Sequence, residues 1–295
     1  MSQGPFAGTL TALVTPFRDG GIDSEALEVL VEDQVAGGIS GLVPCGTTGE
    51  SPTLTADERA SVIERVVRLA RGRLPVIAGT GSNSTEATIR ASVRARELGA
   101  DAIMIVMPYY NKPSQDGLLE HCVAAARAVD CPVVLYNIPG RSVVDLGLDA
   151  TAQILERAPN VVAIKDASGN VLRCQEMVRR FGDRLTVLSG DDALTLPMMA
   201  CGARGVISVT SNVLPREVSA VTTHALAGEW EAARSAHLRL LPLHGLMFVE
   251  PNPGPCKAAL RVLGKLEADV RLPLVAASDA TRASLTAELA RLGHG

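Results

Sequence analysis

Long apolar runs and basic tracts are both absent from this 295-residue chain. No apolar run approaches the roughly 18 residues that a membrane-spanning helix needs, so no contact with a membrane is expected. The formal net charge is −4 and the basic residues are not clustered, which argues against a nucleic-acid partner. The first five residues lack the charged and apolar regions of a signal peptide, and we therefore expect a cytoplasmic protein.

Metal-binding and disulfide patterns are also missing. The six cysteines lie far apart with no C-x-x-C pair, and the five histidines form no H-x-H or H-E-x-x-H motif. This spacing argues against a disulfide framework and a metal centre, so we expect the cysteines to be mostly small buried hydrophobic residues. No G-x-G-x-x-G sequence suggests a dinucleotide site. The sequence therefore predicts no metal and no cofactor.

Lysine is scarce, and one lysine stands in an unusual place. Of the 28 basic residues four are lysines, which leaves 24 arginines, so positive charge is usually supplied by arginine. Residues 161–169 read VVAIKDASG, a short β-branched run that predicts a buried strand with Lys165 near its end. Burial disfavours a charged ammonium, and a neutral amine can attack a carbonyl to form an imine. Alternatively, the head of Lys165 reaches the surface or pairs with Asp166.

Strand-like and helix-like stretches alternate along the chain. Eight short apolar runs, spaced by about 20–35 residues, favour a closed parallel (β/α)8 barrel, or TIM barrel, over a doubly wound sheet. Ser24 is the predicted N-cap of the first helix. The predicted strands cover residues 10–17, 41–46, 75–80, 101–108, 132–139, 161–168, 185–189 and 206–210. Further predicted helices cover residues 57–69, 84–98, 116–129, 150–157 and 171–181.

The last part of the chain, residues 229–295, is helix-like throughout. One helix is predicted to open near Trp230, and two more cover residues 255–263 and 278–292. Each apolar stripe is too narrow to build a core of its own. We therefore expect residues 1–228 to form the barrel and residues 229–295 to pack on it as a helical appendage.

Polar side chains follow the predicted strands. In a (β/α)8 barrel the active site lies at the carboxyl ends of the strands, so these residues should face one another. All three tyrosines of the chain, Tyr109, Tyr110 and Tyr136, fall at such ends. Hydroxyl groups around the amine of Lys165 could relay the protons that imine formation and breakdown require.

Two further strand ends suggest the binding of anions. The sequence GTTG at residues 46–49 offers backbone N–H groups and the hydroxyls of Thr47 and Thr48, which together suit a carboxylate. Arg141 could bind a second carboxylate through two parallel hydrogen bonds. Each motif alone is also typical of an ordinary surface loop.

Seven short sequences stand in order along the chain: GTTGE at 46–50, PYYNKPSQ at 108–115, YNIPGR at 136–141, IKDASG at 164–169, SGDD at 189–192, GVISV at 205–209 and VEPNP at 249–253. Together they resemble the dihydrodipicolinate synthase family, part of a larger group of pyruvate aldolases that includes N-acetylneuraminate lyase. The resemblance covers essentially the whole chain. The double threonine and Arg141 favour the synthase branch over the sialic-acid lyase branch.

The resemblance implies an enzyme of lysine and diaminopimelate biosynthesis that condenses pyruvate with L-aspartate 4-semialdehyde without a cofactor. Lys165 would form the imine with pyruvate, and Tyr136 would be the main proton donor and acceptor. Thr47 and Tyr110 would connect Tyr136 to solvent. Tyr110 would come from a neighbouring subunit, because members of the family assemble into homotetramers built from tight dimers.

The resemblance also implies how the substrates are held. Thr48 and the main chain near Ile207 would bind the carboxylate of pyruvate, and Arg141 would bind the carboxylate of the semialdehyde. Gly190, in the SGDD sequence, would also contact the substrate.

Feedback inhibition by lysine is expected to be weak or absent. Lysine-inhibited members of the family tend to carry histidines and a glutamate where this chain has Ala56, Arg59 and Ala87.

Two other functions stay open: an aldolase or dehydratase for a sugar-derived 2-keto acid, and a non-catalytic paralogue that only binds a keto acid. Arg141 argues against a polyhydroxylated substrate, and the presence of every relay hydroxyl argues against a binding-only protein.

Overall fold

The structure, a computed structural model, describes residues 6–294 and confirms the predicted barrel. Eight parallel strands form one sheet in which strands that are consecutive along the chain pair with each other and the first pairs with the eighth. The second and third strands are the exception and stand at the two ends of the sheet. An isolated parallel bridge between Leu42 and Val76 joins the two ends of this order and closes the sheet into a barrel. The strands are β1 (Gly8–Ala12), β2 (Gly41–Val43), β3 (Ile77–Gly79), β4 (Ala102–Val106), β5 (Val133–Asn137), β6 (Val161–Asp166), β7 (Thr186–Ser189) and β8 (Gly205–Ser208).

Side chains alternate between the inside and the outside of the barrel, as the pleat of a strand requires. One buried hydrophobic cluster fills the inside and includes Tyr136 and Ala163. Their neighbours Leu135 and Ile164 instead belong to a larger cluster between the sheet and the surrounding helices. Because Lys165 follows Ala163 by two residues, its side chain lies on the inner face of β6.

Helices cover the outside of the barrel and form its C-terminal part. The second helix shows how they begin: the Thr55 hydroxyl accepts a hydrogen bond from the N–H of Glu58, whose carboxylate accepts one from the N–H of Thr55. The helices are α1 (Ser24–Ala36), α2 (Ala56–Ala70), α3 (Thr85–Glu97), α4 (Gln115–Arg127), α5 (Leu148–Arg157), α6 (Val171–Phe181), α7 (Thr195–Ala200), α8 (Pro215–Leu226), α9 (Trp230–Leu246), α10 (Gly254–Val262) and α11 (Asp279–Leu292).

The predicted cap of the first helix was wrong by one residue. Asp23 is the N-cap of α1, and its carboxylate accepts hydrogen bonds from the N–H groups of Glu25 at 3.1 Å and Ala26 at 3.0 Å. Ser24 is the first residue inside the helix. A carboxylate at this position also interacts favourably with the positive end of the helix dipole, which explains why Asp23 is the cap.

The first two strands are shorter than predicted. β1 ends at Ala12, and residues Phe17–Arg18 pair with Gly21–Ile22 in a separate antiparallel hairpin. β2 ends at Val43, because the chain turns at Gly46 to make the hydrogen bonds Gly49 N–H to Gly46 C=O and Ser51 N–H to Gly46 C=O. Apolar composition continues past both strands and did not reveal these turns.

The three C-terminal helices pack on the barrel and on one another. α9 packs against α8, and α11 packs against both α9 and α10. Leu240, Leu260 and Leu285 belong to the same buried cluster as the residues between the sheet and its helices. The three predicted helices are thus present and share the core of the barrel, while the division between residues 228 and 229 stays a prediction.

The structure also bears on the predictions about cysteines, membrane-spanning helices and metal sites. All six cysteines are free, and all except the half-buried Cys201 are buried, as expected for small hydrophobic residues. Within residues 6–294 there is no helix long and apolar enough to cross a membrane. In the same range no group of three or more His, Cys, Asp or Glu side chains is placed to hold a metal ion. The first five residues, which bear on the absence of a leader, lie outside the described residues.

Candidate active site

Lys165 lies inside the barrel, near the carboxyl end of β6. Only 4% of the residue is exposed. On the neighbouring strand β5 the residue in register with it is Tyr136, and the Nζ atom of Lys165 lies 4.2 Å from the centre of the Tyr136 ring. The two side chains that the sequence predicts as amine and proton carrier are therefore adjacent.

The neighbouring Asp166 points away from Lys165, to the outer face of β6. Its carboxylate accepts hydrogen bonds from Asn137 Nδ2 at 3.0 Å and Ser168 Oγ at 2.8 Å, and Arg173 Nε lies 3.4 Å away. Because successive side chains of a strand point to opposite faces, Asp166 does not share a face with Lys165. Both ordinary interpretations of Lys165, an exposed head and a pair with Asp166, were therefore wrong.

The turn at residues 46–50, which follows β2, brings two threonines to the same end of the barrel. Thr48 is buried, and its hydroxyl accepts a hydrogen bond from Asn252 Nδ2 at 3.0 Å. Thr47 is half-buried and lines a cavity. The turn is followed by a short 3₁₀ helix, Ser51–Thr53, and α2 begins only at Ala56, so the turn does not lead directly into that helix.

The cavity lined by Thr47 has a volume of about 400 Å³ and opens at this end of the barrel. Its wall includes Val106, which is in register with Tyr136 on the adjacent strand. Arg141 lines the same cavity from a single helical turn, Pro139–Ser142, and it is exposed. Thr47 and Arg141 thus line one cavity, whereas the amine of Lys165 is buried two strands away from Val106.

Tyr109 and Tyr110 follow β4 and face different surroundings. Tyr109 is half-buried and lines the cavity. Tyr110 is 87% exposed and has a φ of 73°, a left-handed conformation that is uncommon for a bulky residue. One chain by itself does not enclose Tyr110 in the site, so the structure does not bring this predicted residue together with Lys165.

Ile207 and Gly190 complete the set of predicted substrate-binding residues. Ile207 is fully buried on β8, and its side chain belongs to the cluster inside the barrel. Gly190 follows β7, and a Cβ atom at this position would lie 2.6 Å from the Cβ of Ala167, just after β6. Only glycine allows β7 to approach the end of β6 so closely.

Two acidic residues that follow β7 have structural partners. The buried carboxylate of Asp192 accepts hydrogen bonds from the Ser208 hydroxyl and from the N–H groups of Val209 at 2.9 Å and Thr210 at 3.1 Å. Burial raises the pKa of Asp191, whose carboxylate accepts a hydrogen bond from the N–H of Ala193. These contacts hold the loops after β7 and β8.

Sequence reasoning missed three buried residues that support the turn at residues 46–50. Asn252 contacts Thr48, and Lys257 forms an ion pair with Glu50 at 2.6 Å in which neither side chain is exposed. Glu50 and Asn252 were part of the sequences that carried the family resemblance, but no local pattern assigned them a role. Lys257 is one of the four lysines of the chain, but no apolar strand precedes it, so the sequence does not single it out.

These features define the class of the protein: a (β/α)8 barrel that presents a buried amine beside a phenol near the carboxyl end of its strands, the arrangement of a barrel enzyme that forms imines. The chain belongs to the dihydrodipicolinate synthetase family, whose model matches residues 5–292. The resemblance found in the sequence is therefore confirmed.

Individual relatives agree with this family. A 4-hydroxy-tetrahydrodipicolinate synthase of Sorangium cellulosum is 68% identical over 294 residues, which cover 99% of this chain and 98% of that protein. The crystal structure of dihydrodipicolinate synthase from Aquifex aeolicus superposes with a TM-score of 0.96 at 46% identity, covering 98% of each chain. A structure described as the first monomeric dihydrodipicolinate synthase variant has a TM-score of 0.96 at 40% identity, covering 98% of this chain and 97% of that one.

Proposed function

We propose that this protein is a 4-hydroxy-tetrahydrodipicolinate synthase, a lyase that condenses pyruvate with L-aspartate 4-semialdehyde through an imine on Lys165. The observation that carries the proposal is the position of Lys165: buried inside the barrel, in register with Tyr136, and directed away from the carboxylate of Asp166. An amine in such a place is suited to attack a ketone, and family membership supplies the substrates.

The reaction follows from the chemistry of the imine. The Nζ atom of Lys165 attacks the ketone carbon of pyruvate, water leaves, and the protonated imine draws electrons from the adjacent methyl group. Loss of a methyl proton gives an enamine, whose carbon attacks the aldehyde of the second substrate. The amino group of that substrate then displaces Lys165 from the imine carbon, which closes the ring and regenerates the free amine.

Protons move on and off oxygen and nitrogen at each of these steps, and the ring of Tyr136 lies beside the amine, with its centre 4.2 Å from the Nζ atom of Lys165. We assign to it the role of main proton donor and acceptor. Thr47 and Tyr110 would connect Tyr136 to solvent.

The two carboxylates would be bound at different depths. We assign the carboxylate of pyruvate to the buried Thr48 and the main chain near Ile207, and the carboxylate of the semialdehyde to Arg141 at the exposed entrance. Gly190 would contact the substrate through its main chain, because the absence of a side chain lets the end of β7 lie close to the end of β6.

Reduction with borohydride in the presence of pyruvate tests the proposal directly. Reduction converts a pyruvate imine into a stable adduct, which mass spectrometry of proteolytic peptides locates. We expect the adduct on the peptide that contains Lys165 and none in the Lys165→Ala variant. The peptide that contains Lys257 is an internal control, because that lysine is also buried but is engaged by Glu50. A folded protein without an adduct on Lys165 would contradict the proposal.

The acceptor is tested separately, by adding L-aspartate 4-semialdehyde to the pyruvate-loaded enzyme. Rapid consumption of both substrates supports the synthase. An adduct on Lys165 without consumption of the semialdehyde would instead indicate an aldolase or dehydratase that acts on a different 2-keto acid.

We also infer a homotetramer built from tight dimers, in which Tyr110 of one chain serves the site of its neighbour. The high exposure of Tyr110 supports this inference, since a bulky side chain held in a left-handed conformation suggests a partner.

Location in the cytoplasm stays a prediction from the sequence. Weak inhibition by lysine also stays a prediction, and it is consistent with Arg59 and Ala87 lining the cavity, because a guanidinium repels the amino groups of lysine.

A further inference from the structure

Asn252 lies in the loop between α9 and α10, far along the chain from the turn that it contacts. Its Nδ2 atom donates to Thr48 Oγ1 over 3.0 Å, and the two residues are separated by 204 positions. Asn252 is 4% exposed and Thr48 is 3% exposed. This hydrogen bond is therefore shielded from water, and water cannot readily replace it if it is lost.

The direction of this hydrogen bond determines what the Thr48 hydroxyl can do. A hydroxyl has one hydrogen to donate and two lone pairs that accept. Because Asn252 donates to it, the hydrogen of the Thr48 hydroxyl stays available for another acceptor. A carboxylate only accepts, so it needs that hydrogen.

We propose that Asn252 is a positioning residue, which orients the Thr48 hydroxyl toward the carboxylate of pyruvate without touching the reacting atoms itself. The inference rests on the proposed function, since it assumes that Thr48 binds pyruvate. It adds a residue of the C-terminal segment to a site that is otherwise built from barrel strands and their loops.

A second set of contacts attaches Glu50, at the other end of the turn, to the same C-terminal segment. Lys257 Nζ donates to Glu50 Oε1 at 2.6 Å and to the Asp269 carbonyl at 2.7 Å. The N–H of Arg271 donates to the other oxygen of Glu50 at 2.9 Å. Glu50 itself has a left-handed φ of 53°, a conformation that needs support from its surroundings.

These contacts limit the movement of Thr48 relative to Asn252. The turn is attached at Thr48 and at Glu50 to residues 252–271, so the two ends of the Asn252 to Thr48 hydrogen bond are fixed relative to each other. A hydrogen bond between two fixed groups can set the direction of a hydroxyl, whereas one to a mobile side chain cannot.

Two variants test the role of Asn252. Asn252→Leu keeps the approximate volume and removes the donor, and Asn252→Ala removes the donor without adding an apolar branch. Asn160→Leu is a control for the loss of an amide donor, because the partly buried Asn160 Nδ2 donates to the main-chain carbonyls of Ala126, Val129 and Cys131. Asn160 precedes β6 and therefore lies at the opposite end of the barrel.

The measurements are the KM for each substrate and the pyruvate concentration that gives half-maximal borohydride trapping. We expect both Asn252 variants to raise the KM and the trapping concentration for pyruvate about tenfold, as for the loss of a hydrogen bond to a charged group. The KM for the semialdehyde should stay within about twofold of wild type. Asn160→Leu should lower thermal stability without changing either value for pyruvate.

A double-mutant cycle with Thr48→Val separates positioning from a general structural role. If Asn252 acts through the Thr48 hydroxyl, Asn252→Leu should have no further effect on pyruvate binding once that hydroxyl is gone. Equal effects of Asn252→Leu in both backgrounds, or an unchanged KM for pyruvate in the single variants, would overturn the inference alone. Absence of a pyruvate adduct in the wild-type protein would overturn the proposed function, and this inference with it.

Discussion

Two lysines of this chain are buried, and their neighbours differ. Lys257 is fully enclosed, forms an ion pair with Glu50, and lies 4.1 Å above the ring of Phe17. Burial lowers the pKa of Lys257, and the carboxylate of Glu50 opposes that effect. Lys165 has the ring of Tyr136 beside it, at the end of the barrel where the cavity opens. The surroundings of the amine, rather than burial alone, thus distinguish Lys257, which is paired with Glu50, from Lys165, to which we assign the imine.

The hydroxyl of Tyr136 can be removed without removing its ring. Tyr136→Phe should keep the packing against Lys165 and lower kcat by about 10²- to 10³-fold, because a general acid and base is lost. The borohydride adduct should still form, more slowly than in wild type. Steady-state kinetics and trapping on the same sample check this, with Tyr109→Phe as the control for a tyrosine that only lines the cavity. A kcat within threefold of wild type would contradict the role assigned to Tyr136.

At the scale of elements, the loop between β2 and α2 depends on the segment that follows α9. Lys257 and Arg271 both hold Glu50, and Arg271 also forms an ion pair with Glu58 in the first turn of α2. The hydrogen bond from Arg271 lowers the pKa of Glu58 to about 2. The loop that carries Thr47 and Thr48 is therefore held by charges from the opposite end of the chain.

Removal of one partner of the buried ion pair should destabilise the protein strongly. Lys257→Met leaves the carboxylate of Glu50 buried without its cation, and we expect the free energy of unfolding to fall by about 3–5 kcal/mol. The double variant Glu50→Gln with Lys257→Met carries no unpaired charge and should recover much of that loss. Urea denaturation of both variants measures the difference. Equal stability of the single and double variants would show that the unpaired charge is not the cause.

At the scale of the whole molecule, buried histidines make stability depend on pH. Burial lowers the pKa of His121 from its ordinary value of 6.5 to about 4, and it also lowers the pKa values of His237 and His244. Between pH 6.5 and 4 the unfolded chain binds more protons than the folded one at His121. The stabilisation from neutral His121 is complete above pH 6.5 and is lost as the pH falls toward 4.

A variant isolates the contribution of His121. His121→Gln should reduce the slope of stability against pH by up to about 1.4 kcal/mol per pH unit in this window. Chemical denaturation at several pH values between 4 and 7 measures the slope. An unchanged slope in His121→Gln would exclude His121 as a source of the acid sensitivity.

The proposed assembly predicts complementation between inactive variants. If Tyr110 serves a neighbouring chain, a hybrid dimer of Lys165→Ala and Tyr110→Phe chains has one site with both changes and one site with neither. Random mixing of equal amounts should restore roughly a quarter of the wild-type sites, because half of the symmetric dimers are hybrids. Activity after co-refolding of the two variants measures this. Mixtures of Lys165→Ala and Tyr136→Phe should show no restoration, and a Tyr110 mixture that behaves like them would place Tyr110 in its own chain.

Much of the fold was predictable because buried parallel strands are apolar runs separated by amphipathic helices. Lys165 was recognisable because a lysine within such a run conflicts with its surroundings. Asn252 and Lys257 were not recognisable, since their partners are 204 and 207 residues away and local sequence does not record a distant contact. Ser24 and Asp23 show the smaller error, in which two adjacent capping residues are equally plausible from sequence.

The contacts of Asn252 and Lys257 also bear on the order in which the protein matures. During synthesis the turn at residues 46–50 leaves the ribosome early, and its partners follow more than 200 residues later. Contacts between such distant segments form late, because a long loop loses entropy before the contact stabilises it. On the proposed function, a partly made chain would therefore contain Lys165 before the contacts that support its pyruvate site have formed.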